Sequence, residues 1–423
     1  MSDFNPPPQK NLRVLISGAG IGGLVAAYWL AKAGASVSVL ERADALRTEG
    51  HIIGIREQAL RIIEYMGLGE ALRGQNSGEL GLKLVDVMNR ALVTFPVNDP
   101  DKGFTTRLQV RRGELVAALY EVTKDKVRFI FGNSVETVEE VDDSLLVTLV
   151  DRESQPLHVD VLLVAEGRNS RTRAKIFNED VHTPLLRLGV RAAIFSFKSN
   201  EKWARCYHTP NSQALLVRPD RLGMAHVIAA YRASSDQLMA DRKMTQDQQR
   251  QLFIRRFQGT GWESDKIMKT LSKTEHLHIQ ELAQVRCKTW SKGRVALVGD
   301  SAHCPSPIGG MGTAAAIVGG YNLAAELVKN PKDPQAAFNA YEASLRPWIE
   351  AIQKPAPLVA KLGLPETRFG ICCFHFLFSV PLCVLRVITT ILRLLGIARP
   401  DRFPNTPSPS VFSFKSLGNF KVE

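Results

Sequence analysis

Three glycines separate two apolar runs near the start of the chain, and this feature constrains the fold more than any other. The run LRVLIS (12–17) ends at Gly18, and a second apolar run, LVAAYWLAKAGA, begins after Gly23. This order predicts a strand, a tight turn and a helix, the arrangement in which a glycine-rich turn lets a pyrophosphate approach the backbone at a helix N-terminus. We expect this turn to comprise Gly18, Ala19, Gly20, Ile21, Gly22 and Gly23.

A second apolar strand follows and ends in an acidic residue. SVSVLE (36–41) completes a strand–helix–strand unit whose last residue is Glu41. In dinucleotide-binding folds a carboxylate at this position accepts hydrogen bonds from ribose hydroxyls. A glycine-rich turn alone is weak evidence for a ligand, but its combination with Glu41 and the adjacent Arg42 predicts an adenine-dinucleotide site.

The downstream segment GRVALVGDSAHCPSPIGGMGTAAA (293–316) bears on which dinucleotide is bound. Asp300 ends a buried strand, where its carboxylate could accept hydrogen bonds from a ribityl chain. The glycines that follow open another helix, whose free N–H groups could stabilise negative charge on the pyrimidine end of a reduced flavin. A strand-end aspartate is also a common helix cap, so Asp300 alone leaves both interpretations open.

These motifs resemble those of the class A FAD-dependent flavoprotein monooxygenases, the aromatic-hydroxylase-like family of p-hydroxybenzoate hydroxylase and the tetracycline-inactivating monooxygenases. The resemblance rests on residues 18–23 with Glu41 and Arg42, on GDSAH (299–303) and on the segment 305–313. A third family motif, DG followed by Ser and Arg, corresponds to AEGRNSRTR (165–173). Glu166 here replaces the aspartate, which keeps the carboxylate but lengthens it.

The resemblance implies further cofactor contacts. Arg112, before a helix, corresponds to an arginine that meets the FAD phosphates or ribityl chain in relatives, although an ordinary surface arginine is the alternative. Arg191 lies where some relatives place an active-site arginine, and we predict a catalytic role for it, with a solvent-facing strand residue as the alternative. The other residues implied to contact FAD are Gly54, Gly310, Met311, Gly312, Thr313 and Ala314.

The resemblance also implies an activity. NADPH or NADH would reduce FAD, O2 would form a flavin C4a-hydroperoxide, and the distal oxygen would hydroxylate or epoxidise an apolar, aromatic or secondary-metabolite substrate. Two alternatives stay open: a flavin oxidase or dehydrogenase on the same fold, and a non-redox scaffold. His276 and His278 lack further ligands at metal spacing, so we expect no metal site.

The expected fold is α/β, with a Rossmann-like FAD-binding domain, an inserted antiparallel-sheet substrate domain and C-terminal helices. The strands at 159–167 and 293–298 belong with the first sheet, whereas alternating stretches such as VRAAIFSF and MAHVIAAY predict antiparallel strands. The predicted boundaries are a disordered lead-in at 1–11, an FAD domain at 12–80, 105–176 and 287–365, a substrate domain at 81–104 and 177–286, apolar helices at 366–400 and a tail at 401–423.

The distribution of charge, the cysteines and the apolar segments indicate which partners and which location to expect for the protein. The net charge of +12 is dispersed along the chain, without a basic run or a nucleic-acid module, so we expect no nucleic-acid partner. The six cysteines show neither the spacing of a disulfide framework nor that of a zinc site, and the start MSDFNPPPQKN has no apolar signal core. We therefore expect a cytoplasmic protein. We also expect a monomer or weak dimer. The apolar stretch 369–397 predicts a buried helix pair, with peripheral membrane contact and a membrane span as alternatives.

Overall fold

Two large sheets organise the chain in the computed structural model. The structure describes residues 12–47, 50–97, 106, 108–151 and 153–379. Within these residues a six-stranded and a seven-stranded sheet are accompanied by smaller sheets and by helices. This mixed α/β architecture confirms the predicted fold class. Strands and helices are numbered below in chain order.

The six-stranded sheet contains the strand that precedes the glycine turn. Its strands are, in spatial order, β17 (Ser291–Lys292), β18 (Val295–Leu297), β11 (Val161–Val164), β1 (Arg13–Ser17), β2 (Ser36–Leu40) and β7 (Arg128–Ile130). All neighbours pair in parallel except the edge strand β17. Parallel strands are buried on both faces, which is why they read as continuous apolar runs in the sequence. Their parallel order brings the carboxyl ends of β1, β2, β11 and β18 to one edge of the sheet.

Helices cover this sheet and join it to smaller elements. The helices are α1 (Ile21–Lys32), α2 (Glu57–Tyr65), α3 (Gly69–Gly74), α4 (Arg112–Glu121), α5 (Arg171–Phe177), α9 (Asp300–His303), α10 (Gly312–Lys329) and α11 (Pro334–Gln353). The smaller sheets pair β3 (Ile52–Ile55) with β6 (Leu108–Arg111), and β9 (Ser144–Leu149) with β8 (Val135–Val141) and β10 (Leu157–Val159). Helix α1 packs on α10 so closely that a Cβ on Gly320 would collide with the Gly22 carbonyl.

The seven-stranded sheet is antiparallel except for one pair, β13 with β4. Its strands are, in spatial order, β16 (His278–Val285), β12 (Leu185–Lys198), β15 (Met224–Arg232), β14 (Gln213–Pro219), β13 (Ala204–Thr209), β4 (Gly81–Val85) and β5 (Ala91–Pro96). Three helices that the sequence analysis did not assign lie between β15 and β16: α6 (Ser235–Arg242), α7 (Gln246–Phe257) and α8 (Ser264–Leu271).

The two faces of this sheet have different neighbours. On the helix-covered face, Phe195, Val227 and Tyr231 form one apolar cluster with Phe253 and Phe257 of α7. On the other face, called here the inner face, alternate residues pack against α12 (Ala356–Leu362) and the short turn that holds Ile308. The inner-face cluster includes Leu188, Val190, Ala192, Ala214, Ile228, Ala230 and Leu282. The inner face therefore looks toward the segment that follows Asp300.

The last described helix, α13 (Arg368–Ser379), lies against the other end of the sheet. His375 of α13 is buried and lies 3.2 Å, nitrogen to nitrogen, from His208 of β13. The side of α13 that faces away from His208 exposes Phe369 (80%) and Phe376 (73%). Within the described residues, no helix combines the length and apolarity needed to cross a membrane. Most of the segment 369–397 lies outside the described residues, as do the predicted lead-in and tail.

Candidate functional site

The turn between β1 and α1 has the geometry that the glycine pattern predicts. Gly18 has a φ of +109°, and a Cβ there would lie 2.5 Å from the Ala165 carbonyl oxygen. A Cβ on Gly23 would collide with the Gly18 carbonyl oxygen. Only glycine satisfies both constraints, because β1, α1 and the end of β11 come together here. Gly20 follows as the N-cap of α1, with extended backbone and only Ala165 near its Cβ position.

Glu41 joins the end of β2 to this turn. Its Oε2 accepts a hydrogen bond from the Ala19 N–H at 3.0 Å, and its Oε1 accepts one from the Ala43 N–H at 3.0 Å. The Gly18 N–H donates to the Leu40 carbonyl at 2.7 Å. The predicted acidic residue therefore lies directly beside the glycine turn. The neighbouring Arg42 is exposed.

Asp300 follows β18 at the same edge of the sheet. Gly299 turns the chain with a φ of +66°, and Asp300 begins α9. Asp300 is exposed, although protein surrounds its carboxylate on most sides. The surface between Asp300, Glu41, Arg112 and the N-terminus of α10 is called the groove below. Burial raises its pKa, while the Cys304 thiol and the positive charge of Arg112 act in the opposite direction. Such a carboxylate lacks full hydration and gains from hydroxyl donors supplied by a ligand.

Arg112 connects the acidic residues electrostatically. It is the first residue of α4, and its backbone N–H donates to the His51 carbonyl at 3.1 Å. Burial lowers its pKa, and the charges of Asp300 and Glu41 oppose that shift. In the part of the chain that the structure describes, no side chain or carbonyl forms a hydrogen bond or ion pair with its guanidinium. A half-buried guanidinium without a partner fits an anionic ligand such as a phosphate.

The segment after Asp300 contributes a second helix N-terminus. The chain turns at Gly310, which has a φ of +62°, and α10 begins at Gly312 after its N-cap Met311. The Cβ positions of Gly310 and Gly312 face open space. Thr313 is partly exposed, whereas Ala314 belongs to the core. The N-terminus of this 18-residue helix therefore opens toward the groove.

Three other residues predicted to contact FAD, Ile21, Gly22 and Gly54, pack closely against protein neighbours. Ile21 and Gly22 are buried in α1, and the Cβ position of Gly22 lies 3.2 Å from the Ala316 carbonyl oxygen of α10. Gly54 pairs with Gln109 in the β3–β6 ladder, and a Cβ there would lie 2.5 Å from the Thr106 hydroxyl. The close approach of these neighbours is sufficient reason for glycine at both positions.

The glutamate of the third motif binds its own loop. Glu166 accepts hydrogen bonds from the Ser17 hydroxyl at 2.6 Å, the Ser170 hydroxyl at 2.7 Å and the Thr172 N–H at 3.1 Å. The longer side chain thus reaches from the start of α5 to the end of β1. It holds the loop beside the glycine turn in place.

Arg173, which the sequence analysis quoted but did not assign, joins the third motif to the segment around Asp300. Its side chain is fully buried and donates to the carbonyls of Ser301 at 2.9 Å, Arg168 at 3.0 Å and Val181 at 2.7 Å. The Ser301 hydroxyl in turn donates to the Val298 carbonyl at 2.7 Å. Arg173 therefore positions the start of α9, where Asp300 lies.

The structure does not bring Arg191 to this groove. Its neighbours Val190 and Ala192 point to the inner face, and the two-residue period of a strand sends Arg191 to the helix-covered face. There its Nη2 donates to the Gln249 side chain of α7 at 2.7 Å. This position, on the face opposite the apolar inner face, does not fit the catalytic role predicted for Arg191.

His303 also has a packing role. Its Nε2 lies 3.1 Å from the Tyr341 hydroxyl, and its ring contacts that of Trp290. Burial lowers its pKa to about 3. In the described ranges, no group of three or more His, Cys, Asp or Glu side chains could hold a metal ion.

The residues that surround the groove fit FAD. The glycine turn and the α1 N-terminus suit a pyrophosphate, and Glu41 suits a ribose. The Arg112 guanidinium, which has no hydrogen-bond partner among the described residues, suits a phosphate charge. Asp300 and the α10 N-terminus suit a ribityl chain and a flavin ring.

Comparisons with known proteins agree with this geometry. A family model described as "FAD binding domain" matches residues 11–355. The FAD-dependent monooxygenase asL4 of Sarocladium schorii is 31% identical over 400 residues, which cover 87% of this chain and 92% of the relative. The flavin-dependent monooxygenase eupH of Phoma sp is 33% identical over 393 residues, which cover 85% and 90%. Among solved structures, the tetracycline destructase Tet(51) aligns with a TM-score of 0.75 and 26% identity over 94% of this chain and 100% of that one.

Proposed function

This chain belongs to the FAD-binding-domain family of flavin monooxygenases, and on that premise we propose that it uses NADPH or NADH and O2 to hydroxylate or epoxidise an apolar, aromatic or secondary-metabolite substrate. FAD, when bound, supplies the electron transfer and oxygen activation that side chains cannot perform. The protein binds the cofactor, orients the substrate and excludes water.

The observation that carries the proposal is the convergence of Glu41, Arg112 and Asp300 on one groove. Arg112 lies within electrostatic range of both carboxylates. Arg112 balances phosphate charge, and Asp300 and Glu41 accept hydrogen bonds from cofactor hydroxyls. With FAD bound, the N–H groups at the start of α10 would stabilise negative charge near the flavin.

The apolar side chains of the inner face favour the proposal of an apolar substrate. Ile308, two residues before Gly310, joins an apolar cluster with Val190, Ala192 and Ile228 of the seven-stranded sheet. An organic substrate bound between this sheet and the groove would meet aliphatic side chains on one side. Such a wall excludes water from the reacting atoms, which favours oxygen transfer over loss of the oxidant to solvent.

A nucleotide reductant is consistent with the charge of the chain. A net charge of +12 attracts anionic dinucleotides at low ionic strength. This attraction does not distinguish NADPH from NADH, and the third motif with Glu166 adds no distinction.

The proposal is tested on the purified chain reconstituted with FAD. We expect a flavin absorbance spectrum and NADPH or NADH oxidation that aromatic and terpenoid compounds accelerate. Asp300→Asn should weaken FAD binding, whereas Asp125→Asn, a change at an exposed position in the loop after α4, serves as the matched control. A protein that retains no FAD, or that retains FAD but is reduced by neither nucleotide, would refute the proposal.

A further inference from the structure

Helices α12 and α13 both lie on the inner face of the seven-stranded sheet. Ala356 and Ala360 of α12 belong to the inner-face cluster, against which Cys206 of β13 also packs. His208 follows Cys206 by two residues in the same strand, so its side chain points to the same face, where it contacts His375 of α13. The sides of the two helices that do not contact the sheet are therefore turned away from it in the same direction.

These outward sides present large apolar side chains to solvent. Phe369 and Phe376, two turns apart on α13, are more exposed than any other large apolar side chain that the structure describes. Between them lie the exposed free thiols of Cys372 and Cys373, which complete a stripe at helical spacing. The apolar outer surface, as we call it, comprises Leu358, Val359, Leu362, Phe369, Phe376 and Leu377. Single exposed apolar side chains are common, whereas a group of this kind marks an interaction site.

The attachment of α13 to the sheet uses a different side of the helix. The ring of Phe374 lies 5.0 Å from that of His208, and the ring of Phe378 lies 6.1 Å from that of Phe95 in β5, measured between centroids. His375, between them in sequence, is buried. The aromatic side chains of the apolar outer surface therefore contribute little to holding the helix in place.

Basic residues accompany the apolar outer surface. Lys361 of α12 and Arg368, the first residue of α13, are both exposed, and each is followed in sequence by an exposed apolar residue of that surface. From 354 to 399 the sequence has one acidic residue, Glu366, and six basic residues: Lys354, Lys361, Arg368, Arg386, Arg393 and Arg399. An apolar surface bordered by cations is complementary to an anionic lipid layer, which has acyl chains beneath negatively charged headgroups.

We propose that the apolar outer surface of α12 and α13 docks on an anionic lipid membrane. Phe369 and Phe376 enter the boundary between headgroups and acyl chains, while Lys361 and Arg368 approach the charged groups of the lipids. The protein then lies on one leaflet, with the inner face of its sheet toward the bilayer. For an enzyme that acts on an apolar compound, as proposed above, this position brings the inner face close to the phase in which such compounds dissolve.

The test measures flotation of the FAD-loaded full chain with vesicles of phosphatidylcholine, either alone or mixed in equal parts with phosphatidylserine. We expect wild type to float with the mixed vesicles, to float less with the neutral ones, and to lose that preference as salt is added. Phe369→Ser combined with Phe376→Ser should weaken binding to the mixed vesicles at least about tenfold, because both aromatic anchors are lost. The matched control, Val150→Ser combined with Leu222→Ser, changes two exposed apolar residues on other elements and should bind as wild type does.

Further measurements separate a lipid from other occupants of this surface. Lys361→Gln combined with Arg368→Gln should weaken the preference for phosphatidylserine and leave binding to neutral vesicles unchanged. Urea denaturation should give the double phenylalanine variant the stability of wild type.

Three results would overturn the proposal. Wild type that does not bind vesicles, together with a less stable double phenylalanine variant, would mean that residues 380–397 of the same chain cover the surface. Wild type that does not bind vesicles, but forms a dimer that this variant dissociates in sedimentation velocity, would mean that a second copy covers it. Equal flotation of wild type and the variant would place the lipid contact elsewhere. Nucleotide and substrate are absent from these samples, so the proposed function is tested separately.

Discussion

Replacing Arg173 with methionine tests how the third motif supports the cofactor groove. The side chain is fully buried and satisfies three carbonyl oxygens, with the Glu179 carboxylate 3.7 Å away. Methionine fills much of the volume but takes the charged donor away from those three carbonyls, of which Ser301 keeps only a contact from the Cys287 thiol at 3.6 Å. Removing a buried charged partner costs about 3–5 kcal/mol, and each hydrogen bond to a charged group contributes roughly 1.5–3 kcal/mol. We expect Arg173→Met to lower the free energy of unfolding by about 3–5 kcal/mol.

Urea denaturation of the FAD-free chain measures this loss. Arg171→Met makes the same change at an exposed position of α5, two residues earlier, and should stay within about 0.5 kcal/mol of wild type. The affinity for FAD, followed by flavin fluorescence, should also fall in Arg173→Met, because the Ser301 carbonyl at the start of α9 loses its charged donor. A loss of stability no larger than that of the Arg171 variant would refute the assigned role of Arg173.

Three other changes test the groove and the histidines. Gly23→Ala forces a Cβ against the Gly18 carbonyl and should weaken FAD binding at least tenfold, as measured by fluorescence titration. Gly74→Ala is the control, because a Cβ at that position meets open space, and it should bind FAD as wild type does. Arg112→Gln should weaken FAD binding by about 10- to 100-fold in the same titration, through loss of a charge-assisted bond of roughly 1.5–3 kcal/mol. Burial and then His375 lower the pKa of His208 to about 4, so the unfolded chain binds the proton first as pH falls from about 6.5. The contribution of His208 to stability should therefore fall by at most about 3 kcal/mol between pH 6.5 and 4, and His208→Gln should make the pH dependence less steep than in wild type in urea denaturation.

The sequence predicts those parts of the site whose residues follow one another closely in the chain. A strand, glycine turn and helix follow one another in the chain, so the positions of Gly18 and Gly23 need no knowledge of distant contacts. Glu41 and Asp300 each follow the carboxyl end of a parallel strand, and the carboxyl ends of such strands meet at one edge of the sheet. The groove could therefore be predicted before the structure was known.

Other features depend on register and long-range packing. The sequence shows that Arg191 lies in a strand, but the face to which it points depends on which side α7 covers. His208 and His375 are close because α13 lies against β13. No spacing in the sequence indicates that contact.

The helices between β15 and β16 had a local indication that the sequence analysis did not use. Capping boxes begin α6 at Ser234 with Gln237 and α7 at Thr245 with Gln248. The apolar residues of α7 include Phe253 and Phe257, one turn apart, which is the helical period.

The most direct test of the central claim is mass spectrometry of the product formed by the FAD-loaded chain under ¹⁸O2 with NADPH or NADH and an accepted aromatic or other apolar substrate. The account predicts incorporation of one ¹⁸O atom per product molecule, with one nucleotide oxidised for each. Nucleotide oxidation accompanied only by stoichiometric hydrogen peroxide, with no label in any organic product, would contradict it and indicate an oxidase on the same fold.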